Sequence, residues 1–317
     1  MTTLAQHADA IRRNIETAVQ GKPEAVRLAL IALLGEGHLL IEDVPGVGKT
    51  TLARAISASV DATWHRVQFT PDLLPTDVTG VTMYHQQANA FEFRPGPVFA
   101  NIVLADEINR ASPKTQSALL EVMEERRVTV DGQSHAVPRP FVVMATQNPV
   151  EMDGTYRLPE AQLDRFMMRI SMGYPDPATE SRMLESEGIT STVDELRPVV
   201  DLQTVAAMVH HAKQVHVAPA LRDYVVAITS ATRQLPEARL GASPRASLAL
   251  MRAARTAAAV DGRGYATADD VKGLATSVLA HRLVLTPQAE HDGVSATDLV
   301  ERVLSGVPPP TSQASAD

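Results

Sequence analysis

At 317 residues the chain has room for two domains of ordinary size, each able to bury its own core. A formal net charge of -8, from 29 Lys and Arg against 37 Asp and Glu, argues against a basic duplex-binding surface, so no nucleic-acid partner is expected. Cysteine is absent, which excludes disulfides, cysteine-ligated zinc and thiol catalysis and fits a cytoplasmic location.

Residues 1–14 carry no apolar run of signal-peptide length. The most apolar segment, 26–41, is broken by Arg27, Gly35, Glu36, Gly37 and His38, so no transmembrane segment is expected. Short apolar runs recur at 38–42, 63–69, 101–105 and 141–146. Helix-compatible sequence separates most of them, which predicts an α/β fold with a parallel sheet covered on both faces. Ser112-Pro113 opens a helix that puts Leu119, Leu120 and Met123 on one face. Its far end, Glu124-Glu125-Arg126-Arg127, reads as solvated. Residues 128–133 read as a β-hairpin because Asp131-Gly132 suits the positive φ angles of a tight primed turn. A second hairpin is expected within 78–97, with Phe91 and Phe93 as packing residues. Beyond Tyr174-Pro175-Asp176-Pro177 the sequence turns Ala- and Leu-rich, with helical spacing at 201–213, 221–234, 244–260 and 267–285. The expected organisation is an α/β core at 1–175, a smaller all-α domain at 176–305 and a disordered tail at 306–317. His210, His211 and His216 do not share one helical face and read as solvated surface rather than a metal site.

The chemistry concentrates where apolar runs end. Leu39-Leu40-Ile41 leads into Glu42-Asp43-Val44-Pro45-Gly46-Val47-Gly48-Lys49-Thr50-Thr51, a strand, glycine-containing loop and helix start in that order. Gly46 and Gly48 let backbone N–H groups turn inward around phosphate oxygens, and a helix starting near Lys49 offers its positive dipole end. Lys49 is expected to reach the β and γ phosphates, and Thr50 to put a hydroxyl on Mg²⁺. The general G-x-x-x-x-G-K-[ST] pattern has glycine where this chain has Asp43. The apolar run ending in Asp106-Glu107 offers one carboxylate for the Mg²⁺ hydration shell and a second, Glu107, to deprotonate an attacking water. Asn148 could bond the γ phosphate and that water, with an Asn-Pro turn as the alternative. Arg165 has no partner visible in sequence and could be a surface arginine. Arg245 follows Ser243-Pro244 at a helix start, where a cation is unfavourable for the dipole, so an anionic ligand is the expected compensation.

These residues carry a family resemblance. GPVFANIVLADEINRASPKTQSALLEVMEER, the hairpin after it, and ATQNPVEMDGTYRLPEAQLDRF together resemble the MoxR family of AAA+ ATPases. Gly241-Ala242-Ser243-Pro244-Arg245 and Ala280-His281-Arg282 are similar to its signatures in the helical half. The resemblance implies a P-loop NTPase core with hairpin inserts and an all-α lid, with ATP and Mg²⁺ as ligands. It implies that Lys49 and Thr50 belong to Walker A, Asp106 and Glu107 to Walker B, and Asn148 to sensor one. Arg165 matches an arginine finger completing the neighbouring subunit's site, and Arg245 matches sensor two, acting in its own subunit or across the interface. Val19, Gly21 and Lys22 occupy the place of adenine contacts. Such proteins are chaperone-like, often hexameric rings that mature partners, commonly ones with von Willebrand A domains. A magnesium-chelatase-type ATPase subunit and a nucleotide-gated scaffold with little hydrolysis are the alternatives.

Overall fold

The computed structural model describes residues 3–87, 89–148, 155–185 and 193–310. Helix α1 (Leu4–Ala18) starts at a capping box between Thr3 and Gln6 and buries Ala8, Ile11 and Ile15, one helical face. Helix α2 (Pro23–Leu34) is buried from Ala25 to Leu34 along nearly all its length. The most apolar stretch of the chain is therefore a core helix feeding a core strand. Among the described residues no helix is long and apolar enough to cross a membrane.

The chain then alternates strands and helices: β1 (Leu39–Glu42), α3 (Lys49–Ser59), β2 (Trp64–Gln68) and α4 (Pro75–Thr79). A first hairpin, β3 (Gly80–His85) and β4 (Ala90–Pro95), precedes β5 (Ile102–Asp106) and α5 (Pro113–Glu125). A second, β6 (Arg127–Val130) and β7 (Gln133–Ala136), precedes β8 (Val142–Gln147), α6 (Glu160–Leu163) and β9 (Met168–Ile170). The central sheet has the order β2-β5-β8-β1-β9, with every pair parallel. Four of these strands are the anticipated apolar runs. The edge strand β9 was not anticipated, because three residues, Met-Arg-Ile, show no period.

Alternation along the strands explains the layers. Leu39, Ile41, Leu104 and Met144 point into an apolar cluster shared with α1, α2 and α3, whereas Leu40, Val103, Ala105 and Val143 point to the opposite cluster with Leu119, Leu120 and Met123 of α5. Both hairpins form as antiparallel pairs, and Asp131 and Gly132 take φ of 50° and 77°, as their turn requires. Phe93 stacks on His135 of the second hairpin, with centroids 4.1 Å apart, so the two projections are joined. Phe91 departs from its expected packing role and is 75% exposed beside Tyr84.

The helical half comprises α7 (Pro177–Glu185), α8 (Leu202–Gln214), α9 (Pro219–Thr232), α10 (Pro244–Val260) and α11 (Ala268–Leu279), then α12 (Pro287–His291) and α13 (Ala296–Gly306). The buried face of α10 is mostly alanine, which lets α8, α9 and α11 approach closely. The helix expected over 267–285 stops at Leu279; a 3₁₀ turn over Ala280–Arg282 follows. There His281 and Arg282 turn inward to carbonyls of the sheet domain, and β11 (Val284–Leu285) pairs with β10 (Ala238–Leu240) instead of continuing the helix. Of the expected tail at 306–317, Gly306 closes α13 and residues 311–317 lie outside the described residues.

His38 makes the fold acid-sensitive. Its Nδ1 accepts the Val143 N–H at 2.9 Å and its Nε2 lies 3.0 Å from the Met123 carbonyl oxygen. Burial pushes its pKa down to about 4, from an ordinary 6.5. Below pH 6.5 the unfolded chain takes up a proton that the folded chain refuses until about pH 4, so stability falls across that window. The expected loss is roughly 3 kcal/mol. Denaturant unfolding at stepped pH checks it: His38→Gln should show a shallower decline than the wild type between pH 6.5 and 4.

Candidate active site

The loop between β1 and α3 stands at the carboxyl edge of the sheet, where ligands bind in open α/β folds. Gly46 and Gly48 have φ of +85° and +92°; among the described residues nothing lies within 4 Å of a Cβ added to Gly46, so backbone conformation rather than crowding demands glycine there. Pro45, Gly46, Gly48, Lys49, Thr50 and Thr51 line one side of a cleft of about 390 Å³. Asp106, Glu107, Asn148 and Arg66 line the other. Val47 does not join them: it is 9% exposed and packs into the core.

The acidic side of the cleft is held by its neighbours in the sheet. The Thr146 hydroxyl on β8 donates to Asp106 Oδ1 at 2.6 Å and accepts the Glu107 N–H at 2.9 Å. Glu107 itself is left-handed, with φ 56° and ψ 50°, a conformation that costs a non-glycine residue and recurs at functional sites. Gln68 Nε2 and Arg110 Nη1 both donate to Glu107 Oε2, at 2.7 and 3.1 Å. Arg66 donates to Asp106 Oδ2 through Nη2 at 2.6 Å and Nε at 3.0 Å.

A hydroxyl from Thr50 and a carboxylate from Asp106 are hard oxygen donors that fit Mg²⁺. Among the described residues no group of three or more His, Cys, Asp or Glu could hold a metal. Mg²⁺ keeps several waters and binds through one or two carboxylates and a ligand's phosphates, so the donor set of Thr50 and Asp106 is of the kind it uses. Arg66 covers one Asp106 oxygen, so the fit requires that guanidinium to give way. His210, His211 and His216 are each exposed.

Asp43, the departure from the general motif, ties the loop to the segment after β9. Its Oδ2 accepts Ser171 Oγ, Met172 N–H and Gly173 N–H at 2.9, 2.6 and 2.7 Å, and its carbonyl accepts Lys49 Nζ at 2.7 Å. Burial raises the carboxyl's pKa, but the bonds from Gly173, Ser171, Met172 and Val44 outweigh it and hold the group below its ordinary value. The resulting stability is present above pH 3.8 and is lost as pH falls through the lower folded value. Asp43→Asn aims an amide at three donors, and we expect it to cost about 2 kcal/mol in denaturant unfolding.

The three residues matched to adenine contacts lie apart from the cleft lining. Val19 caps α1 and is buried, Gly21 (φ +70°) packs beside Thr179, and Lys22 Nζ donates to the Tyr174 carbonyl at 2.6 Å. Arg165 and Arg245 are also absent from the cleft. They line a separate pocket of about 290 Å³, where both pair with Glu124: Arg165 Nη2 lies 3.1 Å from Oε2 and Arg245 bonds Oε1. The helix end at 124–127 is thus not merely solvated, since Arg126 also bonds Glu36 and Arg127 bonds Ser134. In place of the anionic ligand expected beside Arg245, the anion next to it is the Glu124 side chain. Arg66, Gln68 and Thr146 were not picked out from sequence. The alternation of Arg66 and Gln68 toward one face, at the end of an apolar run, was the available signal.

A phosphate loop and an acidic strand end on a parallel sheet, followed by a helical half, define a P-loop ATPase core with a helical lid. Residues 38–168 match the family described as ATPase family associated with various cellular activities (AAA), and residues 230–303 match the AAA lid domain. The chain is 45% identical over 313 residues to "Chaperone MoxR1" of Mycobacterium tuberculosis, covering 92% of this chain and 80% of that protein. It is 33% identical over 337 residues to "Protein MoxR" of Methylorubrum extorquens, covering 98% and 97%. A solved structure from Cytophaga hutchinsonii, described as a candidate ATPase, superposes with a TM-score of 0.91 at 35% identity, covering 97% of this chain and 96% of that one. The chain belongs to the MoxR family of AAA+ ATPases.

Proposed function

We propose that this chain is a subunit of a cytoplasmic homo-oligomeric ring, hexameric in form, that hydrolyses ATP to ADP and phosphate with Mg²⁺ and uses the cycle to remodel partner proteins. One observation carries this reading: Arg165 and Arg245 meet at Glu124, and neither lines the phosphate-loop cleft of its own chain. Cations that stabilise a transferring phosphoryl group then come from the next subunit, so hydrolysis depends on assembly. The same separation favours Arg245 acting across the interface, as Arg165 does.

In this chemistry Lys49 and the backbone N–H groups of 46–51 hold the phosphates. Thr50 and Asp106 hold Mg²⁺, which when bound neutralises phosphate charge. Glu107 takes the proton of the attacking water on Oε1, because Gln68 and Arg110 already occupy Oε2. Asn148, at the end of β8 in the same cleft, orients that water and reports the γ phosphate. Val19, Gly21 and Lys22 contact adenine, with Lys22 steadied by the Tyr174 carbonyl. The core spans 1–175 and the lid 176–305. The chaperone role rests on the similarity to Chaperone MoxR1 of Mycobacterium tuberculosis, and a von Willebrand A protein is the proposed client.

Phosphate release from ATP tests the reading. The expected result is release that requires Mg²⁺ and falls per chain on dilution below ring assembly. Release at the full rate from isolated monomer overturns the proposed sharing of sites.

A further inference from the structure

Behind the two arginines lies a buried clamp that the reaction scheme does not use. Arg282, whose side chain is 2% exposed, donates through Nε to Asp164 Oδ1 at 2.8 Å. Its Nη2 reaches the carbonyls of Asp164 and Phe166 at 3.1 and 2.6 Å, and its Nη1 that of Met167 at 3.2 Å and that of Val278. Burial holds this guanidinium below its ordinary pKa, and the Asp164 carboxylate is the charge that offsets the burial in part. The same carboxylate accepts Ser243 Oγ at 3.0 and 2.8 Å. Ser243 is the N-cap of α10, holding the Ala246 N–H at 3.2 Å.

Asp164 therefore immediately precedes Arg165 in the chain and grips the cap two residues before Arg245. Rotation of α10 relative to the loop at 164–167 would break both bonds to Asp164. Glu124 differs in kind. It is 38% exposed, and its pairs with Arg165 and Arg245, whose side chains are 30% and 44% exposed, are of the weak, exchangeable sort. Arg165 Nε, buried and without a hydrogen-bond partner among the described residues, adds a donor that Glu124 does not satisfy.

We propose that Asp164 is a positioning residue that locks Arg165 and Arg245 into one constellation through Ser243 and Arg282, so that both engage the triphosphate of a second copy of this chain together. The proposal rests on the reading in which these arginines act across the subunit interface. In it, Glu124 is the anion they leave when the stronger one arrives. Asp164, Ser243 and Arg282 touch no nucleotide. They hold the separation and direction of groups that do, where small misplacements are costly.

Two full-length variants test this: Asp164→Asn, which removes the charge, and Ser243→Asp, which keeps a good N-cap but sets a second carboxylate against Asp164. They are assayed with Arg165→Ala and Arg245→Ala for ATP turnover and fluorescent-nucleotide affinity. Each is then assayed mixed with Glu107→Gln subunits, whose arginines and clamp are intact. The expected result is at least about a tenfold loss of turnover in both clamp variants with unchanged affinity at their own clefts. Mixing should restore turnover, because a clamp-defective subunit keeps a working cleft that an intact neighbour can complete. Wild-type turnover in both clamp variants, with loss in the arginine variants, overturns the clamp while sparing the trans reading. Lost turnover that mixing does not restore also overturns it, since that marks a merely structural role. Wild-type turnover in Arg165→Ala and Arg245→Ala removes the reading beneath it.

Discussion

Glu107→Gln binds ATP as the wild type does and releases phosphate about 10²–10⁴ times more slowly. The substitution is nearly isosteric, and its carbonyl oxygen can still accept from Gln68 and Arg110, which hold Oε2 in the wild type. The Glu107 N–H bond to Thr146 is a backbone contact and survives the change. What disappears is the basic oxygen that takes a proton from water. The left-handed residue is held by two bonds of its backbone, its N–H donating to Thr146 and its carbonyl accepting the Arg110 N–H, so the cleft should keep its shape. Equilibrium binding of a fluorescent ATP analogue and single-turnover phosphate release check the two halves of the expectation separately. Wild-type release would strip Glu107 of the base role, and lost binding would make it a structural residue of the cleft.

The parts of the molecule legible in sequence are those whose chemistry is local. Gly46, Gly48, Lys49 and Thr50 need a particular backbone within a few residues, and the cleft contains them. Asp131-Gly132 announced its hairpin because positive φ at both positions is a property of the dipeptide. Buried strands were visible where apolar residues ran together without a break, as at 39–41, 102–105 and 141–145, and β9 was not because Arg169 interrupts a strand of three residues. Pairings across the chain left no such trace. Arg66 meets Asp106 from 40 residues away, and Arg245 meets Glu124 from 121. Asp43 looked like a lost glycine, yet its carboxylate is saturated by a segment beyond β9, 128 to 130 residues later. The end of α11 was misjudged for the same reason. Ala280-His281-Arg282 is compatible with helix, but the sheet domain's carbonyls bind those side chains and turn the chain out of it.

Arg165→Ala should lower ATP turnover of the assembled protein by about 10³-fold or more, the range found when an arginine that stabilises a phosphoryl transition state is removed. The size follows from the setting: a guanidinium carrying several donors meets charge that grows only as the phosphoryl group transfers. Affinity for ATP at the variant's own cleft should hardly change, because Arg165 is absent from that cleft and pairs with Glu124 outside it. Truncation also frees Glu124 to bind Arg245 alone, so the loss belongs to the missing cation and not to an unpaired carboxylate. A mixing experiment separates an arginine that acts on its neighbour from one that acts at home. Lys49→Ala subunits cannot hold the phosphates but present an intact Arg165, and Arg165→Ala subunits have an intact cleft. Interleaved in one ring, each variant supplies what the other lacks, and phosphate release should rise above that of either alone, with a maximum near equal proportions. A straight line between the two inactive endpoints would mean that Arg165 serves its own chain. The arginine would then have to leave Glu124 and reach the phosphate-loop cleft within one subunit.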